Sequence, residues 1–176
     1  MQRWRVPLGF ACAAVFFFLA QPRPATLIAG GLVALPGLAL RAWATGHLRK
    51  NDALATTGPY AYTRNPLYLG SFVIGLGFTI AAGRLILGFV FAALFLGIYV
   101  PVMRVEALTL NELFGKDYQE YAAAAPLFLP RVTAHRGESA KAKFDPALYR
   151  RYREHQAAIG FVVAWMLLAL KWYWFR

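Results

Sequence analysis

Residues Leu67–Met103 read LYLGSFVIGLGFTIAAGRLILGFVFAALFLGIYVPVM, and Arg84 is the only charged side chain among them. Two apolar stretches, about Leu67–Ala82 and about Leu85–Met103, are separated by Gly83 and Arg84 alone. A spanning helix needs about 20 mostly apolar residues, with a lower limit near 17. A glycine–arginine pair is long enough only for a tight turn. The segment therefore predicts a membrane helical hairpin.

Three further stretches have the same character: about Trp4–Ala20, about Ala25–Ala44 and about Ala157–Phe175. Gln21-Pro22-Arg23-Pro24 breaks the first pair, as proline-rich turns do. Arg3 and Arg5 precede the first stretch as they would in a signal peptide. The proline-rich stretch after it is a poor small-residue cleavage site, so a retained span is expected. The predicted fold class is all-α, an integral membrane helical bundle of five transmembrane helices.

Composition agrees. Of 176 residues 59% are hydrophobic and 15% charged, against 45–50% and about 25% in soluble domains. That balance excludes a disordered chain and makes a soluble enzyme a poor fit. The single cysteine, Cys12, lies in an apolar run and reads as packing, with no disulfide or cysteine metal cluster available.

The net charge of +11 invites a nucleic-acid reading until the cations are placed. In the five-span arrangement, fifteen Lys and Arg fall on one side and four (Arg23, Arg84, Lys171 and Arg176) on the other. The positive-inside rule makes the fifteen-cation side cytoplasmic. The N-terminus is then cytoplasmic and the C-terminus outside, with Trp172, Tyr173, Trp174 and Phe175 as an interfacial anchor. The charge sets topology and favours an anionic membrane surface; it is not a nucleic-acid footprint. Asp145 followed by Pro146 reads as a helix cap and first turn, opening a basic segment ahead of the last span.

Two segments on the cation-rich side are too long to be turns, Thr45–Pro66 and Arg104–Gln156. In the first, GPYAYTRNPLYLG (Gly58–Gly70) gathers two prolines, three tyrosines and an arginine before a span. It reads equally as an interfacial turn and as an anion-favouring helix start, with Arg64-Asn65-Pro66 at the N-terminus. Tyr60, Tyr62 and Tyr68 add π-faces for a cation. In the second, a fourth span continued as helix sets Glu106, Leu110, Leu113 and Phe114 on one stripe facing protein. Glu106 is then a functional candidate, or a partner of Arg104 or Arg64. His47 lies just past the second span; His135 and His155 are isolated. No metal-ligand spacing, nucleophile elbow or phosphate loop is present, and Gly75-Leu76-Gly77 reads as close helix packing.

Together these segments resemble the isoprenylcysteine carboxyl methyltransferase family and its phospholipid N-methyltransferase relatives. The resemblance covers about Leu40–Arg131. Gly58, Tyr60, Arg64, Asn65, Pro66, Tyr68 and Gly70 match its first half. Glu106, Leu110, Phe114, Gly115, Tyr118, Tyr121, Pro126 and Pro130 match its second. Two positions depart: Ala107 replaces a second glutamate, and Val102 stands where members acting on prenylcysteine carry arginine.

The resemblance implies an integral membrane methyltransferase using S-adenosylmethionine, with the cofactor in a cytoplasm-facing pocket and a lipid or lipidated molecule as acceptor. That acceptor is a prenylcysteine-like carboxylate or a phospholipid amine. Carried over, the cofactor-binding residues are His47, Leu54, Tyr60, Asn65, Pro66, Tyr68 and Glu106. Arg64, Arg104 and Glu106 are the candidate catalytic residues. Residues 1–133 form the expected methyltransferase core, and 134–176 a basic segment and fifth span. Two competing readings are an NADPH-dependent membrane reductase of the sterol type and a non-enzymatic lipid-binding protein.

Overall fold

The computed structural model describes residues 13–49, 53–135 and 143–175. Most of the first apolar stretch, with Cys12 and the N-terminal arginines, lies outside them. Residues 13–19 are helical (α1). There follow α2 (Pro24–Thr45), a single 3-10 turn (Gly58–Ala61), α3 (Pro66–Ala82), α4 (Leu85–Phe114), α5 (Lys116–Ala124), α6 (Pro146–Arg151) and α7 (Glu154–Trp174). No strand occurs among the described residues, so the all-α class holds.

Three of the five expected spans are clear in the structure. Among the described residues, three helical runs are long and apolar enough to cross a membrane: Pro24–Thr45, Leu85–Ala124 and Glu154–Trp174. At 17 residues, α3 rises only about 25 Å, short of a hydrocarbon core about 30 Å thick. The fourth stretch also runs past the expected Met103, because Pro101 does not end α4. The Ala, Leu and Glu residues beyond it are strong helix formers. The described helices have the length and composition of an integral membrane protein, and leucines such as Leu32 and Leu96 stand exposed on them.

Two turns close one end of the bundle. Gly83 adopts φ 65°, the left-handed conformation that ends α3 and returns the chain into α4. The Gln21 amide donates to Ala82 O at 2.7 Å, which docks the α1–α2 turn on the hairpin turn. Ala20, Leu27, Ala81, Ala82, Leu87 and Leu168 form a buried cluster at this end. Lys171 of α7 joins it by donating to Phe18 O at 2.8 Å.

Contact between α2 and α3 is made by small residues. A Cβ on Gly77 would lie 2.6 Å from both Ala34 Cβ and Gly30 O. A Cβ on Gly37 would lie 2.7 Å from Gly70 O. Backbones this close gain dispersion contacts that larger side chains would prevent, the usual basis of helix pairing in lipid. The antiparallel pair brings the end of α2 beside the start of α3, and both face the extension of α4.

Candidate active site

The 58–70 segment is stitched to the chain that follows α5. The Arg64 amide donates to Pro126 O at 2.9 Å, that of Arg131 to Tyr62 O at 2.9 Å, and that of His135 to Ala61 O at 2.8 Å. Side chains reinforce the seam. Thr63 Oγ1 donates to Phe128 O at 2.9 Å, Asn65 Nδ2 to Leu127 O at 2.9 Å, and Tyr121 Oη to Tyr60 O at 2.8 Å. Gly58 is required twice over. Its φ is +60°, and a Cβ there would meet the His47 ring at 2.7 Å.

Between this seam, the start of α3 and the far part of α4 lies an open cleft of about 910 Å³. Its walls carry Leu54, Tyr60, Arg64, Asn65, Pro66, Tyr68 and Glu106, together with Arg41, Arg49 and Tyr99. Leu110, Leu113 and Phe114 line it too, so the stripe read along α4 faces one space. Glu106 itself is exposed, because the cleft is open beside it.

The two halves of the motif meet there. Tyr68 Oη donates to Glu106 Oε2 at 3.1 Å, joining α3 to α4. Arg64 Nη1 donates to Tyr118 Oη at 3.0 Å, with the guanidinium 5.9 Å from the Tyr118 ring centre. Arg64 Nε is buried without a hydrogen-bond partner, alone in this among buried side-chain nitrogens and oxygens of the described residues. Unpaired buried donors are rare in folded proteins. Glu106 pairs with neither Arg104 nor Arg64. Among the described residues the one ion pair is Arg41–Glu154.

Seven of the nine residues singled out from sequence line this cleft. His47 and Arg104 do not. His47 is buried behind the Gly58 turn, with Nδ1 3.1 Å from Trp43 O and its ring edge-on to Phe144. Arg104 is exposed on α4 away from the cleft.

Arg41, Arg49 and Tyr99 were not anticipated. Arg41 carried a readable signal: it is the only charge within Ala25–Ala44, and ionisable residues inside apolar spans are functional by default. Tyr99 stacks on Phe95 at 4.7 Å and meets Tyr68 edge-on at 5.5 Å. In the sequence it is one aromatic among many in α4.

Tyr60 is buried in the cleft wall. Burial first, then the neighbouring Tyr121 and Glu106, pushes its phenol well above the ordinary value of 10.0. An acid whose pKa is raised on folding stabilises the fold below its unfolded pKa. It loses that contribution as pH rises past the unfolded value. We expect chemical-denaturation stability to fall above about pH 10, by up to about 1.4 kcal/mol per pH unit from this group. Tyr60→Phe should remove that part of the slope.

Comparison with known proteins gives a consistent picture. Residues 26–117, just over half of the chain, match the family described as phospholipid methyltransferase. A stretch of 143 residues is 33% identical to the cobalt-zinc-cadmium resistance protein CzcN of Cupriavidus metallidurans, covering 77% of this chain and 66% of that protein. The nickel-cobalt-cadmium resistance protein NccN of Alcaligenes xylosoxydans xylosoxydans is 36% identical over 91 residues, 52% of this chain and 42% of that one. The protein-S-isoprenylcysteine O-methyltransferase of Schizosaccharomyces pombe is 29% identical over 83 residues, 47% of this chain and 35% of that enzyme. The chain thus spans less than two thirds of each of these relatives. No solved structure matches it significantly.

Proposed function

Starting from the fact that the chain belongs to the phospholipid methyltransferase family, we propose that it transfers a methyl group from S-adenosylmethionine to a lipid-borne acceptor. The observation that carries this reading is the convergence of the two motif halves on one cleft, through Tyr68–Glu106 and Arg64–Tyr118. An apolar hairpin separates them by more than thirty residues of sequence, so the polar contacts are not a by-product of local turns.

The cleft fits the cofactor in size and chemistry. Its volume lies within the range of about 300–1,000 Å³ usual for small-molecule sites. The Arg64 guanidinium in the cleft wall suits a carboxylate. Glu106 suits an ammonium group, and the Tyr60, Tyr68 and Tyr99 faces suit an adenine or a sulfonium. When bound, S-adenosylmethionine supplies an electrophilic methyl group on a positively charged sulfur. The chain's own part is to orient and to exclude water. Leu54, Leu110, Leu113 and Phe114 supply an apolar wall. Asn65 is held by Leu127 O, and in this reading it shapes the wall. Val105 and Leu113 are exposed as well as lining the cleft. They give an acyl or prenyl chain a sideways entry from the membrane.

The cleft lies at the end of the bundle away from Arg23, Arg84 and Lys171. By the positive-inside rule it faces the cytoplasm, and four or five spans complete the bundle once α3 and the N-terminal stretch are counted. Residues 1–133 are the methyltransferase core in this reading. The acceptor is a carboxylate or an amine on a lipid. The names of two relatives concern metal resistance. Among the described residues no three His, Cys, Asp or Glu side chains group to hold an ion.

The test is calorimetric titration of the detergent-purified protein with S-adenosylhomocysteine, followed by labelled methyl transfer to a total lipid extract. Saturable binding and a labelled lipid are expected. A flat titration sinks the cofactor assignment. Binding of lipid without either result would leave a lipid-binding protein.

A further inference from the structure

Arg41 and Glu154 lie on different helices and on different sides of the family boundary. Arg41 is near the end of α2, inside the matched segment. Glu154 opens α7, well beyond residue 117 where the match ends. They form a forked pair: Arg41 Nε to Glu154 Oε1 at 2.6 Å and Nη2 to Oε2 at 3.0 Å. The remaining terminal nitrogen, Nη1, turns the other way. It donates to Ser71 Oγ at 2.6 Å and reaches Leu67 O at 3.5 Å. Ser71 Oγ in turn donates to Leu67 O at 2.9 Å.

These contacts all bear on the first turns of α3. Leu67 and Ser71 bracket Tyr68, whose hydroxyl reaches Glu106 across the cleft. Gly70 lies in the same stretch, where a Cβ would meet Arg41 Cγ at 2.6 Å. The arginine stem therefore lies flat against α3, and only glycine at position 70 permits it. Glu154 is buried. Arg153 before it takes φ 54°, the one positive φ at a non-glycine among the described residues. A strained backbone of this kind persists where its surroundings over-determine it. Here it breaks α6 from α7 and brings Glu154 onto Arg41.

An ion pair buried at Glu154 and only partly buried at Arg41 is a poor device for stability alone, since even a fully buried pair is matched by an apolar pair of the same volume. Its yield is directional: five fixed donors on one planar group. We infer that Glu154 is a positioning residue of the cleft. Through Arg41 it sets the first turns of α3 and hence the place of Tyr68 opposite Glu106. The C-terminal helix, outside the family's shared segment, thereby becomes part of the site. The inference rests on the proposed function only for its meaning in catalysis; the geometry it asserts is tested separately.

The test uses the full chain with 3-fluorotyrosine in place of tyrosine. The Tyr68 fluorine resonance is assigned by its loss in Tyr68→Phe. Glu154→Gln should displace that resonance and weaken S-adenosylhomocysteine binding about tenfold, as the loss of one charge-assisted contact at the cleft would give. Glu154→Asp, which keeps the charge, should restore most of both. Trp165→Leu serves as the comparison. It removes an α7 ring that stacks on Phe161 and lies tilted against Phe78, in the half of α3 away from the cleft. It should lower Tm without moving the Tyr68 resonance.

If Glu154→Gln leaves the resonance in place, or Trp165→Leu displaces it equally, the inference is overturned. Should Glu154→Gln not fold, Arg41→Lys takes its place. It keeps a cation for Glu154 but loses the fork to that carboxylate and the separate Nη1 bond to Ser71, and an unmoved Tyr68 resonance there overturns the inference as well. If the unaltered protein binds no S-adenosylhomocysteine, the cofactor reading fails while the fluorine result still decides the geometry.

Discussion

Glu106→Gln is expected to lower labelled methyl transfer about 10- to 100-fold while leaving the unfolding midpoint nearly unchanged. The side chain is exposed at the cleft, and Tyr68 Oη donates to it at 3.1 Å. A glutamine keeps an oxygen for that tyrosine, so little native packing is lost. What disappears is the negative charge. Hydrogen bonds to charged groups are worth about 1.5–3 kcal/mol, and each 1.4 kcal/mol is tenfold in affinity. If the charge acts on the bound cofactor, calorimetric affinity for S-adenosylhomocysteine falls by a similar factor. If it acts only on the reacting methyl, affinity survives and the rate alone falls. An unchanged rate would remove Glu106 from the site.

Gly77→Leu is expected to have the largest structural effect, with loss of folded protein from detergent extracts. Four carbons would enter a seam where Ala34 Cβ and Gly30 O already lie 2.6 Å from the position of the first. Overpacking costs about 1–3 kcal/mol where side chains can yield, and more where they cannot. Here one neighbour is backbone, so α2 and α3 must part. Separation would also carry Arg41 away from Ser71 and open the cleft. Gly97→Leu is the control, because a Cβ there meets nothing within 4 Å. Thermal unfolding of the two variants side by side distinguishes overpacking from any general cost of replacing a membrane glycine. Equal midpoints would show that the seam is not tight.

The hairpin was legible because its two apolar runs and its Gly-Arg turn are local patterns. The ends of α2, α3 and α7 follow from composition within a few residues. Much of the cleft was legible for a different reason: Tyr60, Arg64, Tyr68 and Glu106 belong to one family motif. The excess of α4 beyond Met103 was harder to read, since polarity rises there while helix propensity does not fall. Three of the five expected spans are clear; the 17 residues of α3 sit at the lower limit for a span, and most of the first stretch lies outside the described residues. His47 enters from sequence only through its place in the segment leading to the Gly58 turn, and its ring fills the space beneath Gly58. Arg41 and Glu154 were beyond reach as a pair. Nothing in sequence aligns two helices separated by more than a hundred residues, and the register that joins them depends on the bend at Arg153.

The stitching of residues 61–65 to 126–135 bears on biogenesis. When the ribosome has delivered α2, α3 and most of α4, the membrane already holds a hairpin and its glycine seam. The wall that carries Tyr60 and Arg64 still lacks its hydrogen-bond partners, because Pro126, Leu127, Phe128 and Arg131 have not emerged. Insertion and site assembly are thus separate events in time. A chain released before about residue 126 would pass a membrane-integration assay and yet have no formed cleft.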